Sequence, residues 1–255
     1  MAQIKFHKYQ ATGNDFIIIN SEDIPEHINY SQLAQKICPR RISVGADGLI
    51  IIIKDPEPKL DFEMQYFNVD GSGPIMCGNG ARASVQYFHQ NLAEKNTYSF
   101  LAPDGAHQGK IKNEIVEITM GRAQSIQEIA LPEKQGYLLN TGAPHLVLFK
   151  KLSEEENINR IARPLRAEYN ANVNFISRDT NKIWRIRTYE RGVEEETLAC
   201  GTGVTAAALV INKTKAGSFP YHFRARGGRL SVNCDANQIW LAGPAVHIYS
   251  GNINL

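Results

Sequence analysis

Short stretches of alternating or continuous apolar residues, broken often by glycine, proline, asparagine and aspartate, run through most of this chain. Such runs read as half-buried or buried strands. They cover Ile4–Tyr9, Phe16–Ile19, Leu49–Ile53, Phe62–Phe67, Val116–Met120, Leu146–Phe149, Val173–Ile176, Trp184–Thr188, Tyr221–Ala225 and Ile239–Leu241. Two segments depart from this pattern. After Cys77, the residues Ala81, Val85, Phe88 and Leu92 recur at three- and four-residue steps and form one helical face. After Cys200, Val204 to Ile211 is apolar almost throughout, as in a helix buried on all sides. The apolar stretch ending at Cys38 reads as a third helix. Many strands with few helices indicate an α+β fold rather than regular βαβ units.

The punctuation occurs twice. Thr12-Gly13 opens an apolar strand in the first half, and Thr141-Gly142 opens another in the second. Cys77 lies in M-C-G-N-G-A-R-A and Cys200 in A-C-G-T-G-V-T-A. Each half thus reads as a Thr-Gly turn, a strand, further elements, then Cys-Gly-x-Gly opening a helix. The order suggests an internal duplication. The halves are expected to meet near residues 121–136, a polar stretch with Gly121, Pro132 and Gly136.

Composition narrows the function. Of 255 residues, 43% are hydrophobic and 21% charged, enough apolar material for packed cores without a disulfide scaffold. Net charge is +2 and no long basic run occurs, which favours a small-molecule partner over nucleic acid. No apolar run approaches a membrane span, and the N-terminus lacks a signal layout, so no membrane partner and a cytoplasmic location are expected. The four cysteines, Cys38, Cys77, Cys200 and Cys234, show no C-x-x-C spacing. Cys38 and Cys234 read as small, partly buried hydrophobes.

Cys77 and Cys200 carry the chemistry. A cysteine opening a helix sits beside unsatisfied backbone N–H groups and the positive end of the helix dipole, which favours thiolate. The same N–H groups bind a carboxylate, and the glycines let the backbone approach it. One such site hints at a nucleophile. Two suggest a pair that takes an α-proton from one face of a stereocentre and returns one to the other. The carbanion would be stabilised electrostatically, with no cofactor and no metal. Gly78–Ala83 and Gly201–Ala206 also fit G-x-G-x-x-A, but neither follows a buried strand, which argues against a dinucleotide site.

Seven segments together resemble the diaminopimelate epimerase family. They are A-T-G-N-D-F (11–16), Y-F-N-V-D-G-S (66–72), M-C-G-N-G-A-R (76–82), P-H (144–145), N-V-N-F (172–175), Y-E-R-G-V (189–193) and T-L-A-C-G-T-G (197–203). The resemblance implies interconversion of LL- and meso-2,6-diaminopimelate, a step of lysine and peptidoglycan-precursor synthesis. It implies two pseudo-symmetric halves, each a curved, mostly antiparallel sheet around a central helix, with the site in the cleft between. The expected division is 1–121 with Cys77, 122–246 with Cys200, and a tail, 247–255, that returns to the first half. A homodimer is implied as well. Residue by residue, Cys77 and Cys200 match the catalytic cysteines, and His145 and Glu190 match groups that orient the reacting centre and tune the thiols. Asn14, Asn68, Asn172 and Arg191 match substrate contacts. Gly78, Asn79, Gly201 and Thr202 match the donors to the proximal carboxylate.

Three positions depart from the family pattern. Ala143 stands where asparagine usually precedes Pro-His. The segment from Glu190 to Thr197 is one residue longer than E-R-G-x-G-E-T and lacks its second glycine, leaving Glu195 and Glu196 as rivals for one position. Gly48 stands where many members carry glutamine. A racemase of another amino acid, a non-catalytic amino-acid-binding protein and a thiol oxidoreductase are the competing readings.

Overall fold

In the computed structural model the chain forms two compact units, Met1–Ile118 with Gly243–Leu255, and Thr119–Ala242. The structure describes all residues except Met1, Ala2, Asp55, Pro56, Pro58, Arg122, Gln124, Pro132, Glu133, Thr180, Asn181, Lys215, Ala216, Ala236, Asn237 and Leu255. Pro132 of the expected junction, and the expected boundary residues Arg122 and Leu255, therefore lie outside the described residues.

The first unit runs β1 (Gln3–Ala11), β2 (Asn14–Asn20), α1 (Tyr30–Ile37), β3 (Gly48–Lys54), β4 (Phe62–Asn68), α2 (Gly78–Asn91), β5 (Thr97–Ala102), β6 (Gly105–Lys112) and β7 (Ile115–Met120). The second runs β8 (Ile126–Leu131), β9 (Lys134–Asn140), β10 (Pro144–Phe149), α3 (Ile158–Tyr169), β11 (Asn172–Arg178), β12 (Trp184–Glu190), β13 (Glu195–Thr197), α4 (Gly201–Lys213), β14 (Tyr221–Ala225), β15 (Gly228–Asp235) and β16 (Gln238–Pro244). The last strand, β17 (Val246–Asn254), pairs antiparallel with β1.

The duplication is visible in strand orientation. Along β17-β1-β2-β3-β4-β5-β6-β7, neighbours are antiparallel except at β2–β3 and β4–β5. Along β8-β9-β10-β11-β12-β14-β15-β16 the same alternation recurs, with parallel pairs at β10–β11 and β12–β14. Each parallel step requires a crossover, and a helix fills it each time. α1 and α3 make the first crossover of their units, and α2 and α4 the second. The fold is thus α+β, each half a mostly antiparallel curved sheet around a central helix.

Helices on both faces explain the continuous apolar strands. Leu49 and Ile51 of β3 pack in one cluster with Leu33, Ala34 and Ile37 of α1. Ile50, on the opposite face, lies beneath Gly80 of α2. All three β3 residues have zero exposure. In the second unit Val173 and Phe175 of β11 cluster with Ile158 and Ala162 of α3, while Asn174 lies under Gly203 of α4. At roughly 1.5–3 kcal/mol for each fully buried large apolar side chain, these clusters hold α1 and α3 against their sheets.

The expected strands and the three expected helices are present. The polar stretch 121–136 carries β8 and the start of β9, an antiparallel hairpin with Glu128 opposite Tyr137. The expected tail, 247–255, lies within β17 apart from Leu255.

Candidate active site

Each unit brings its cysteine to the N-cap of its central helix. Cys77 and Cys200 have extended backbones, φ −133° and −121°, and the helices begin at the following glycines. An extended N-cap leaves the first-turn N–H groups pointing outward, the arrangement that suits an anion.

In the first unit, Sγ of Cys77 accepts the N–H of Gly80 at 3.4 Å and lies 3.9 Å from Oδ1 of Asn14. Asn14 is locked. Its Nδ2 donates to Oδ2 of Asp47 at 2.7 Å, and its Oδ1 accepts Nδ2 of Asn79 at 3.2 Å. Asp47 belongs to a closed ion cluster: Lys8 pairs with Asp15 at 2.7 Å, and Arg40 bridges Asp15 and Asp47. Burial raises the Asp15 carboxyl, but bonds from Arg40 and Lys8 outweigh it and bring the group down to about 2. Asn14, Gly78 and Asn79 therefore gather at Cys77. Asn68 does not join them by any described bond. Its side chain donates to Oγ of Ser72 at 2.9 Å, closing the turn after β4.

In the second unit the cysteine ends a directed chain of donors. Sγ of Cys200 lies 3.4 Å from Oγ1 of Thr202, which lies 2.9 Å from Nε2 of His145. Nδ2 of Asn174 reaches Nδ1 of His145 at 3.1 Å and also the carbonyl of Leu146 at 3.1 Å. Thr188 donates to Oδ1 of Asn174 at 3.0 Å. The carbonyl fixes which end of Asn174 is the amide nitrogen, so Nδ1 of His145 accepts and Nε2 carries the proton. His145 then donates to Thr202, and the Thr202 hydroxyl donates to the sulfur. A side chain on Gly203 would meet Oδ1 of Asn174 at 2.4 Å, so the helix lies on this chain only because residue 203 is glycine.

His145 is fully buried, and burial with the Arg191 charge lowers its pKa from 6.5 to about 3. It stays neutral at physiological pH. Linkage follows: below pH 6.5 the unfolded chain takes up a proton that the folded one refuses, so stability falls between pH 6.5 and 3. His7, lowered by burial and by Lys5 and His247 to about 4, acts in the same direction. We expect urea midpoints measured between pH 7.5 and pH 4.5 to fall with acidification, and to fall less steeply in His145→Gln. Equal slopes would remove His145 as a source.

Asn172, Glu190 and Arg191 sit together at the β11–β12 end. Oδ1 of Asn172 accepts the backbone N–H of Arg191 at 2.8 Å, and its Nδ2 donates to the carbonyl of Pro144 at 3.2 Å, next to His145. Glu190 ends β12, half-buried, opposite Glu195. The guanidinium of Arg191 is exposed and reaches the carbonyl of Asn170 at 3.4 Å. Glu194 stands where the second glycine is missing, and its φ of 60° is the left-handed value that a glycine would adopt without strain. Its carboxylate fastens the turn by accepting the N–H of Gly192 at 3.1 Å and pairing with Arg166 at 2.7 Å. Of the rivals next in line, Glu196 is the gripped one: Arg187 holds both its oxygens at 2.7 Å. Glu195 is exposed. Gly48 also has a local cause. A Cβ there would meet the Tyr66 ring at 2.3 Å and the Phe67 carbonyl at 2.5 Å, so glutamine has no room.

A family model described as diaminopimelate epimerase matches residues 6–126 and 137–248. The chain belongs to the diaminopimelate epimerase family. Among curated relatives, the diaminopimelate epimerase of Flavobacterium psychrophilum is 38% identical over 98% of this chain and 100% of its own. That of Campylobacter lari is 41% identical over 80% of each. The solved structures extend the fold further. A phenazine biosynthesis protein of the PhzF family from Bacillus anthracis aligns over 100% of both chains with TM-score 0.76 and 17% identity. A hydroxyproline epimerase from Agrobacterium vitis aligns over 99% of this chain and 92% of its own with TM-score 0.75 and 11% identity. Among the described residues no helix is long and apolar enough to cross a membrane.

Three residues of the site escaped the sequence reading. Asn174 and Arg82 lie inside matched segments, and Asp47 stands just before Gly48, yet only their partners reveal what they hold.

Proposed function

We propose that this protein epimerises LL-2,6-diaminopimelate to the meso isomer without a cofactor, using Cys77 and Cys200 as the two acid–base groups. The observation that carries the reading is the matched pair of thiols, one at the N-cap of each central helix, in a chain of this family. Inversion needs a base on one face of the α-carbon and an acid on the other, and each unit supplies one such group. Backbone N–H groups of Gly78, Asn79, Gly201 and Thr202 serve the α-carboxylate, where charge grows as the proton leaves. His145, through Thr202, and Glu190 tune the thiols and orient the amino end. Asn14, Asn68 and Asn172 contact the substrate, and the exposed fork of Arg191 suits the distal carboxylate.

The enzyme acts in the cytoplasm, where its thiols stay reduced; none of the four cysteines forms a disulfide. It works as a homodimer. Val246, Ile248 and Tyr249 of β17 are 44%, 52% and 44% exposed, an apolar row that a second copy would cover. A single-chain mass in light scattering would overturn that state.

Proton NMR of the reduced protein with LL-diaminopimelate in D₂O tests the activity. Loss of the α-proton signal with appearance of the meso isomer is the expected result. Binding without exchange would overturn it in favour of a binding protein. A preference for proline or hydroxyproline in the same assay would reassign the substrate.

A further inference from the structure

The two helix entries are built alike but charged differently. Five residues after Cys77 stands Arg82, with zero exposure. Five residues after Cys200 stands Thr205, equally buried and neutral, its hydroxyl returned to the carbonyl of Gly201 at 3.0 Å. Since α4 makes the same extended-Cys, Gly-x-Gly entry with a threonine, the entry itself does not require a cation. The difference needs another reason.

Arg82 spends its donors on neutral acceptors. Nη2 donates to Oδ1 of Asn79 at 2.9 Å and to Oγ1 of Thr12 at 3.1 Å, and Nη1 to the carbonyl of Gly78 at 3.4 Å. Nε is buried with no hydrogen-bond partner. Among the described residues no carboxylate pairs with it. A buried, uncompensated guanidinium is costly, and a fold keeps one where an anion is to be met. The other ionic groups around the first-unit site cancel: Lys8 on β1 and Arg40 after α1 face Asp15 on β2 and Asp47 before β3, two cations against two anions. From β6, His107 pairs with Asp104 at 2.9 Å. His7, Tyr9 and Tyr87 cluster through ring contacts with His247 of β17. Outside these pairs, Arg82 is the buried cation at this helix entry. Burial lowers the guanidinium to about 10, and the one charge that opposes this is that of Cys77.

We infer that Arg82 is a positioning residue for the first acid–base group: it is the fixed counter-cation that sustains the Cys77 thiolate, and its bond to Asn79 orients the amide that reaches Asn14 beside the sulfur. This deepens the epimerase reading and rests on it for its catalytic meaning. The thiol measurement itself needs no substrate, so either can fail alone.

The test is the pH dependence of Cys77 alkylation by iodoacetamide, read by peptide mass spectrometry on the full chain. In Arg82→Gln the Cys77 midpoint should rise by about one pH unit or more, the usual effect of removing a nearby opposite charge. Arg82→Lys should keep most of the wild-type value. Thr12→Val, which loosens the same contact but leaves the charge, should leave the midpoint in place, which separates charge from packing. The acid limb of the exchange rate against pH should move with the Cys77 midpoint. An unmoved midpoint in folded Arg82→Gln, or an equal rise in Thr12→Val, would overturn the inference. If the glutamine variant does not fold, the wild type still decides. The ¹⁵Nε resonance of Arg82 should titrate with Cys77 and lose that step in Cys77→Ser; a flat resonance in the wild type would overturn it equally.

Discussion

Cys77→Ala and Cys200→Ala are each expected to slow α-proton exchange of LL-diaminopimelate by about 10²–10⁴-fold, the usual contribution of one positioned acid or base. Under the two-base assignment the pair acts as a unit, so the double variant should be little slower than the worse single one. The NMR assay in D₂O measures all three. A near-wild-type rate in either single variant would end the two-base assignment. The structure adds a control that separates chemistry from folding. Sγ of Cys77 caps α2 through Gly80, whereas Cys200 makes no capping bond to its helix. Loss of a cap costs at most about 1 kcal/mol here, sulfur being a weak acceptor. Thermal unfolding should therefore show a small drop for Cys77→Ala and a smaller one for Cys200→Ala, while both lose activity. A fall in rate that tracked the fall in stability would point to a structural role for the thiols.

What the sequence disclosed and what it hid divide along burial. Strands such as β3 and β11 were legible because both faces are covered and the apolar signal is strong. The helices after Cys77 and Cys200 were legible from spacing, and the repeated Thr-Gly and Cys-Gly-x-Gly marks pointed to two like halves. The hairpin of β8 and β9 was hidden because β8 is half-exposed and carries Gln127 and Glu128, and β9 begins with Lys134, Gln135 and Gly136, a run that reads as a junction. Helix α3 was hidden by Pro164 and by its arginines, which interrupt a packed face of Ile158, Ile161, Ala162, Leu165 and Tyr169. Within the site, Asn174 reads as polar from sequence, and nothing marks it as a residue of zero exposure. Gly48 reads as a lost contact until Tyr66 is seen filling the space beside it. Asn14 and Asn68 look alike as turn asparagines; only their bonds separate them, one toward Asp47 and Asn79, the other into its own turn.

Asn174→Leu is expected to damage both stability and rate. The amide is surrounded by acceptors on one side, Nδ1 of His145 and the carbonyls of Leu146 and Asn172, and by the Thr188 hydroxyl on the other. Leucine has similar bulk but leaves these groups without their partner. At about 1–3 kcal/mol for each orphaned buried group, and with some relaxation, a loss of roughly 3–5 kcal/mol follows, measurable as a shift of the urea midpoint. The rate should fall beyond what the unfolded fraction explains. Without a donor at Nδ1, His145 is released to move its proton there, and Thr202 loses the bond that turns its hydroxyl toward Cys200. A bond to a charged sulfur is worth about 1.5–3 kcal/mol, so exchange should slow roughly 10–100-fold. Asn174→Asp separates the two effects. It keeps most of the packing but offers His145 only an acceptor, so the imidazole should switch to the Nδ1–H tautomer. Long-range ¹H–¹⁵N NMR distinguishes the tautomers directly: Nε2–H in the wild type, Nδ1–H in the aspartate variant, with the loss of rate accompanying the switch. A wild type already in the Nδ1–H form would break the donor chain at its second link.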